Sequence, residues 1–270
     1  MGIFDGVLLV SDFDDTLVDR KKRLPERTKT ALSRFVAQGG KFTLASGRGL
    51  ESVQKQAPGL PIGAPVIVAN GTQIYDLDQE RLLVEANFPE LVRQDFAETL
   101  ERFPTAAVEI FGAGQLYAVR PNEVTKIHLE VTGQYAREAQ LSEVPMPWVY
   151  AKFEDCHDQL EKMQRWMKAR FGTRYGIFFS HPMLLEITPG GCNKGTGVLK
   201  LAELLSVQRE DIYCAGDNEN DLAMLEAAAI GFTPAGSSQA ALDTADVIVC
   251  DCDQGAIADV VEYLQRKYET

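Results

Sequence analysis

Four aspartates fall within nine residues in "SDFDDTLVD" (11–19): Asp12, Asp14, Asp15 and Asp19. Directly before them runs "VLLV" (7–10), four apolar residues that read as a buried strand. A knot of negative charge therefore sits at the end of a core strand. Asp12 and Asp14, two residues apart, can converge if the chain bends there. Such a pair can supply a nucleophile and a proton donor. Polar residues also follow later apolar runs. Ser46, Gly47 and Arg48 come after "KFTLA", Asn70 and Gly71 after "APVIVA", and Gly216, Asp217, Asn218, Asn220 and Asp221 after "DIYCA"; Lys194 opens a helix. Singly, Ser46, Asn70 and Asn218 are ordinary cap or turn residues. The carboxylates as a group are not. At 4 Å and an effective dielectric of about 20, each like-charged pair costs about 4 kcal/mol. Asp12, Asp14, Asp217 and Asp221 on one sheet edge thus require a cation, and hard oxygen donors without sulfur or clustered histidine favour Mg²⁺.

The elements that must position these residues are legible from periodicity. Over residues 1–77, strand signals alternate with helix signals, as in the apolar stripe Ala31, Leu32, Phe35 and Val36 of "PERTKTALSRFVAQGG" (25–40). Alternation returns after about residue 190 with "NKGTGVLKLAELL", "DIYCAG", "NDLAMLEAAA", "IGFT", "SSQAALDTA", "VIVC" and "GAIADVVEYLQRKY". Short apolar strands between helices predict an α/β fold, a Rossmann-like parallel sheet covered on both faces. In such a sheet ligands sit just past the carboxyl ends of the strands, where the residues above gather. Between about 78 and 188 the texture changes. Two amphipathic helices, "PELVRQDFAETLERF" and "CHDQLEKMQRWMKARF", accompany the strands "AAVEIF", "QLYAVR", "WVYAKF", "YGIFF" and "LLEIT". The expected organisation is a catalytic core of 1–77 and 189–270 with an α+β domain of 78–188 inserted into it.

The 270 residues carry a net charge of −12. That disfavours nucleic acid or an anionic membrane as partner, since both are met with Lys and Arg. No apolar run approaches the roughly 18 residues of a membrane span, and the first residues do not read as a signal peptide. Five cysteines at irregular positions point to free thiols in a reducing cytoplasm. The C-x-C of Cys250 and Cys252 lacks a second pair at zinc spacing. "KGTG" at 194–197 has the wrong order for a phosphate-binding P-loop. His128, His157 and His181 all fall in the insert and read as surface or packing residues, and Trp148 and Trp166 as core. Arg48 reads equally well as a phosphate contact or a structural ion pair.

The motifs taken in order are more specific than any one of them. "DFDDTL" (12–17), "TLASGR" (43–48), Lys194 in "GCNKGTG" and "GDNEND" (216–221) resemble motifs I to IV of the haloacid dehalogenase superfamily, across nearly the whole chain. The long insert after "ANGTQIYD" resembles the C2-type cap of the Cof-like sugar-phosphate phosphatases. One departure is Asp15, where many relatives carry Gly. The resemblance implies that Asp12 attacks phosphorus to form an aspartyl-phosphate and that Asp14 acts as general acid, then base. It implies Mg²⁺ on Asp12, the backbone carbonyl of Asp14, and Asp217. Asn218 would add a ligand or hold a metal water, while Asp221 would act through a water or orient Lys194. Phe13, Thr16, Ser46, the Gly47 amide, Lys194 and Asn220 are expected on the phosphoryl oxygens. An acid at position 14 points to phosphate esters, since expelling halide needs none. The expectation is a Mg²⁺-dependent phosphatase of a small phosphorylated metabolite, first a sugar phosphate, with the insert closing over the core and choosing the leaving group, through loops such as "FGAGQ" or the region of Lys152 and His181. A phosphomutase of the same superfamily and a silent binding protein are the alternatives. Substrate identity and oligomeric state have no readable code in the residues.

Overall fold

The computed structural model describes residues 2–269. The chain forms two compact units, Met1–Val84 with Asn193–Thr270, and Glu85–Cys192. Both junctions lie a few residues later than 77/78 and 188/189. At the first, the strand beginning at Arg81 stays with the core because it closes a three-stranded sheet with Val66–Val68 and Gln73–Asp76.

The core unit is built on a five-stranded sheet in the order Val247–Val249, Ile230–Pro234, Ile212–Ala215, Leu8–Ser11, Lys41–Leu44. All its pairings are parallel. Leu8–Ser11 lies at the centre of the site-bearing strands, with Ser11 level with both Ala215 and Leu44. A parallel bridge from Ala45 to Ile67 brings Val66–Val68 alongside. Side chains alternate across the sheet and both faces are dry, as parallel strands require. Leu9, Phe42, Tyr213 and Phe232 pack with Leu32 and Phe35 of the helix Glu26–Ala37 and Val260, Val261 and Leu264 of the helix Ala256–Tyr268. Leu8, Val10, Ile212 and Cys214 pack on the other face with Val198, Leu201 and Ala202 of the helix Lys194–Leu205 and with Met224 and Leu225. The chemistry-bearing segments leave from the carboxyl ends of three adjacent strands, so Asp12, Ser46 and Asp217 are neighbours by topology.

The inserted unit holds a six-stranded sheet in the order Tyr175–His181, Leu184–Pro189, Trp148–Glu154, Ala107–Gly112, Gln115–Val119, Arg137–Glu138. Only the last pairing is parallel. Its core sets Trp148, Phe153 and Ile187 of the sheet against Phe96 of the helix Val92–Arg102 and Met163 of the helix His157–Phe171. A third helix, Glu123–Thr132, was not expected from the sequence. Five of its ten residues, Val124, Thr125, Ile127, Val131 and Thr132, are β-branched and poor helix formers, which hid its period. Its end signals were nonetheless present: Asn122 accepts from the amides of Val124 and Thr125, and Gly133 closes it at φ +61°.

Candidate active site

The chain leaves the central strand at Asp12, whose amide still donates to the Ala215 carbonyl at 2.8 Å, and enters a short helical turn, Phe13–Leu17. The turn is broken at Asp14 and at Asp15, which sits in the left-handed region at φ +56°. Aspartate is among the few residues that tolerate this region, which accounts for Asp15 where glycine would serve. Its half-exposed carboxylate meets Lys22 Nζ at 3.0 Å.

Lys194, fully buried at the start of its helix, donates to Asp12 Oδ1 at 2.5 Å and Asp221 Oδ1 at 2.6 Å. Asp221 Oδ2 accepts from the amides of Asp217 and Asn218 at 3.0 and 3.1 Å. Asp217 Oδ1 accepts from the Thr16 hydroxyl at 3.0 Å. Two glycines permit this closeness. A Cβ on Gly216 would lie 2.5 Å from Asp221 Cγ, and one on Gly195 would lie 2.1 Å from the Ala223 carbonyl oxygen. Asp12, Thr16, Lys194, Asp217 and Asp221 thus form one network from three separated segments, and oxygens of the three aspartates lie within 4.8 Å of one another. Burial, with Asp221, Asp217 and Asp14 adding to it, pushes Asp12 well above the usual carboxylate range against the pull of Lys194. Burial and then Asp221 raise Asp217 to about 7. Burial alone would lower Lys194, but the two carboxylates hold it protonated above its ordinary value.

A second group lies at the ends of the neighbouring strands. Asn70 Oδ1 accepts from Asn220 Nδ2 at 3.1 Å, and its amide donates to the Ser46 carbonyl at 3.0 Å. A Cβ on Gly47 would come within 3.1 Å of Asn70 Nδ2, so a side chain there would push the Asn70 amide by a few tenths of an ångström. Ser46 is buried, and its hydroxyl accepts from the Arg48 amide at 3.1 Å.

Several expected residues are engaged differently from their expected roles. The Asp14 carboxylate is gripped by Arg48, Nε to Oδ2 at 2.7 Å and Nη2 to Oδ1 at 2.9 Å, and by Lys22 Nζ at 3.0 Å. Burial pushes Asp14 up, yet Arg48 and Lys22 outweigh it and leave its pKa lowered. Arg48 is therefore an ion pair. Lys22 was not singled out from the sequence; the basic run "DRKKR" directly after the aspartates was its only signal. Asp221 has both oxygens committed. Asn218 Oδ1 accepts from the Glu219 amide at 2.8 Å, as a cap does. The Phe13 ring belongs to the apolar core, leaving its main chain for any ligand. The Thr16 hydroxyl is spent on Asp217.

The profile of the haloacid dehalogenase-like hydrolase family matches residues 9–261. An HMP-PP phosphatase of Klebsiella pneumoniae is 30% identical over 230 residues, 83% of this chain and 82% of that protein. The fold is shared with a haloacid dehalogenase-like hydrolase from Bacteroides thetaiotaomicron, with TM-score 0.81 and 24% identity over 96% of this chain and 99% of that one. A subclass IIB sugar phosphatase superposes with TM-score 0.83 and 20% identity over 96% of this chain and 99% of that one. The chain belongs to the haloacid dehalogenase-like hydrolases, and it is an enzyme of that family, a phosphatase.

Proposed function

We propose that this phosphatase hydrolyses a small phosphorylated metabolite, sugar phosphates being the first class, by way of a phosphoryl group carried on Asp12. The observation that carries the reading is the convergence of Asp12, Lys194, Asp217 and Asp221 at the ends of adjacent parallel strands. The names of the Klebsiella HMP-PP phosphatase and of the sugar phosphatase support a small phosphate ester as substrate.

The donor set fits Mg²⁺. Three buried or half-buried carboxylates face one ammonium, so the cluster is short of positive charge, and its donors are hard oxygens. Asp12, Asp217 and the Asp14 carbonyl would hold the ion, which when bound neutralises the anionic phosphoryl group beside a negative nucleophile. Asp221, saturated by Lys194 and two amides, positions Lys194 instead, and Asn218 holds the turn. Thr16 orients Asp217.

Asp12 attacks phosphorus through a carboxylate oxygen as the ester P–O bond breaks, and Asp14 gives its proton to the departing oxygen. Asp14 then takes a proton from the water that attacks the phosphorylated Asp12, and the bond from phosphorus to that carboxylate breaks. To act as an acid, Asp14 must first leave Arg48 and Lys22, which favour its ionised form. Ser46, the main chain of Gly47 and Phe13, Lys194 and Asn220 grip the phosphoryl oxygens. Lys194, bonded to Asp12 Oδ1, also fixes which oxygen is free to attack. The five cysteines are all unpaired, which supports a reducing, cytoplasmic setting.

The test is phosphate release from a panel of sugar phosphates and HMP-PP, with Mg²⁺ or chelator, run beside Asp12→Asn. Release that disappears with chelator and in the variant is expected. Isomer formation without free phosphate would indicate a mutase, and activity persisting in Asp12→Asn would remove the nucleophile from this residue.

A further inference from the structure

A second set of buried carboxylates lies in the inserted unit, and the reaction above makes no use of it. On one face of the six-stranded sheet, Glu109 stands level with Lys152, and Lys152 with Glu186, across three neighbouring strands. Glu154 lies two residues beyond Lys152 on the same face. Glu109 and Glu154 are fully buried and Glu186 almost so. The helix Glu123–Thr132 lays His128 over this face. His128 Nδ1 is 3.1 Å from Glu109 Oε2 and 3.4 Å from Glu154 Oε1.

These groups satisfy one another only in part: His128 Nδ1 is hydrogen-bonded to Glu109 Oε1 at 3.2 Å. Both carboxylate oxygens of Glu154, and Oε2 of Glu109, lack a hydrogen-bond partner in the protein. Nδ1 carries at most one hydrogen, so it cannot serve both glutamates at once. The hydroxyl of Thr125 donates to Asn122 at 3.3 Å and also lies near enough to Glu154 to favour its ionised form, against the larger effects of burial and Glu109. Lys152 Nζ lies 3.6 Å from Glu186 Oε1, which also accepts from Ser180 at 2.7 Å. Three carboxylates thus face one ammonium, and an orphaned buried carboxylate is costly unless a cation or a proton reaches it. The geometry favours a cation. Four donors placed tetrahedrally at about 2.0–2.1 Å from a zinc-class ion stand about 3.4 Å apart. The two separations from His128 lie close to that value, and the three donor atoms are all within 4.8 Å of one another. The helix is fastened where it matters: Asn122, its cap, also donates to the main-chain oxygen of Glu154 at 2.9 Å.

We propose that Glu109, His128 and Glu154 form a second metal site, for a divalent ion of the zinc class, separate from the aspartate cluster of the core unit. An imidazole nitrogen with two carboxylates suits Zn²⁺ better than Mg²⁺, which prefers an all-oxygen shell with several waters. Burial, and then the neighbouring charge of Glu109, raise the Glu154 carboxyl to about 8 when no ion is bound, so at neutral pH it holds a proton that a bound cation displaces.

The proposal stands apart from the hydrolytic reading, and its test does not use activity. The full chain is stripped with chelator, given Zn²⁺ with Mg²⁺ in excess to occupy the hard-oxygen cluster, gel-filtered, and analysed for metal content and melting temperature. Wild type and Asp217→Asn are expected to retain one Zn²⁺ per chain and to melt several degrees higher with it. His128→Gln and Glu154→Gln are expected to retain none and to show no such rise. Glu154→Gln removes a buried carboxyl that folding must otherwise protonate, and folds at least as well as the stripped wild type, so it decides the matter even if His128→Gln folds poorly. No zinc on the wild type, loss of zinc in Asp217→Asn, or full zinc on Glu154→Gln would each overturn the site, the last placing the ion on a free cysteine or the core aspartates.

Discussion

Asp221 in the core and Glu154 in the insert are both fully buried carboxylates, yet Asp221 accepts three well-formed hydrogen bonds from the protein, whereas neither oxygen of Glu154 has one and only the Thr125 hydroxyl stands near as a weak donor. Around Asp221 the chain supplies an ammonium and two amides, so the residue is a fixed part of the scaffold that aims Lys194 at Asp12. Around Glu154 it supplies a shared imidazole and another carboxylate. The contrast separates two uses of buried charge. A carboxylate that its own chain satisfies holds other groups in place, whereas one left bare is completed from outside, by a proton or an ion.

The comparison is sharpest at its extremes. Asp12→Asn should reduce phosphate release at least about 10⁴-fold while leaving the fold intact by circular dichroism, since the nucleophile is lost but its packing is not. Lys194→Met should lower stability to urea by about 3–5 kcal/mol, because it strands Asp12 and Asp221 as buried anions without their cation; a loss below about 1 kcal/mol would mean that Lys194 is not what satisfies the core cluster. Two amide substitutions should then move in opposite directions in chelated protein. Asp221→Asn should destabilise by about 1.5–3 kcal/mol through its charge-assisted bonds, and Glu154→Gln should stabilise by about 1–3 kcal/mol at pH 7, because burial raises that carboxyl to about 8 and folding must protonate it. Equal signs in the same unfolding titration would break the contrast drawn above. The smallest effect should come from Arg48→Lys, which exchanges a two-pronged grip on Asp14 for a single one and should change stability by about 1 kcal/mol or less.

Much of this was legible in the residues. The strand runs, the helices at both ends of the chain and the insert's antiparallel strands follow from apolar periodicity, which burial on one or both faces imposes directly. The gathering of Asp12, Ser46, Lys194 and Asp217 followed from placing each after a strand or at a helix start. The helix Glu123–Thr132 escaped because its β-branched residues lower its own propensity, and tertiary contacts hold it in place. With that helix went the partner of Glu109 and Glu154: His128 read as an isolated side chain because nothing local in the sequence links position 128 to 109 and 154. Asp14 was legible as a candidate acid, but its pairing with Arg48 and Lys22 was not; Asp221 was placed both among the metal ligands and as a residue acting through a water or orienting Lys194, and its bonds to Lys194 and two amides fit the orienting role.

What the sequence by itself determined is the inventory: which residue types stand at strand ends, in what order, and that their like charges cannot gather without a cation. What only the tertiary structure decided is the pairing of individual atoms. Lys194 meets Asp12 across 182 positions and Thr16 meets Asp217 across 201. Periodicity acts over a few residues, through steric and burial constraints repeated along one element. The choice of donor for each carboxylate oxygen depends on how close packing brings distant elements together, and no local pattern encodes that distance.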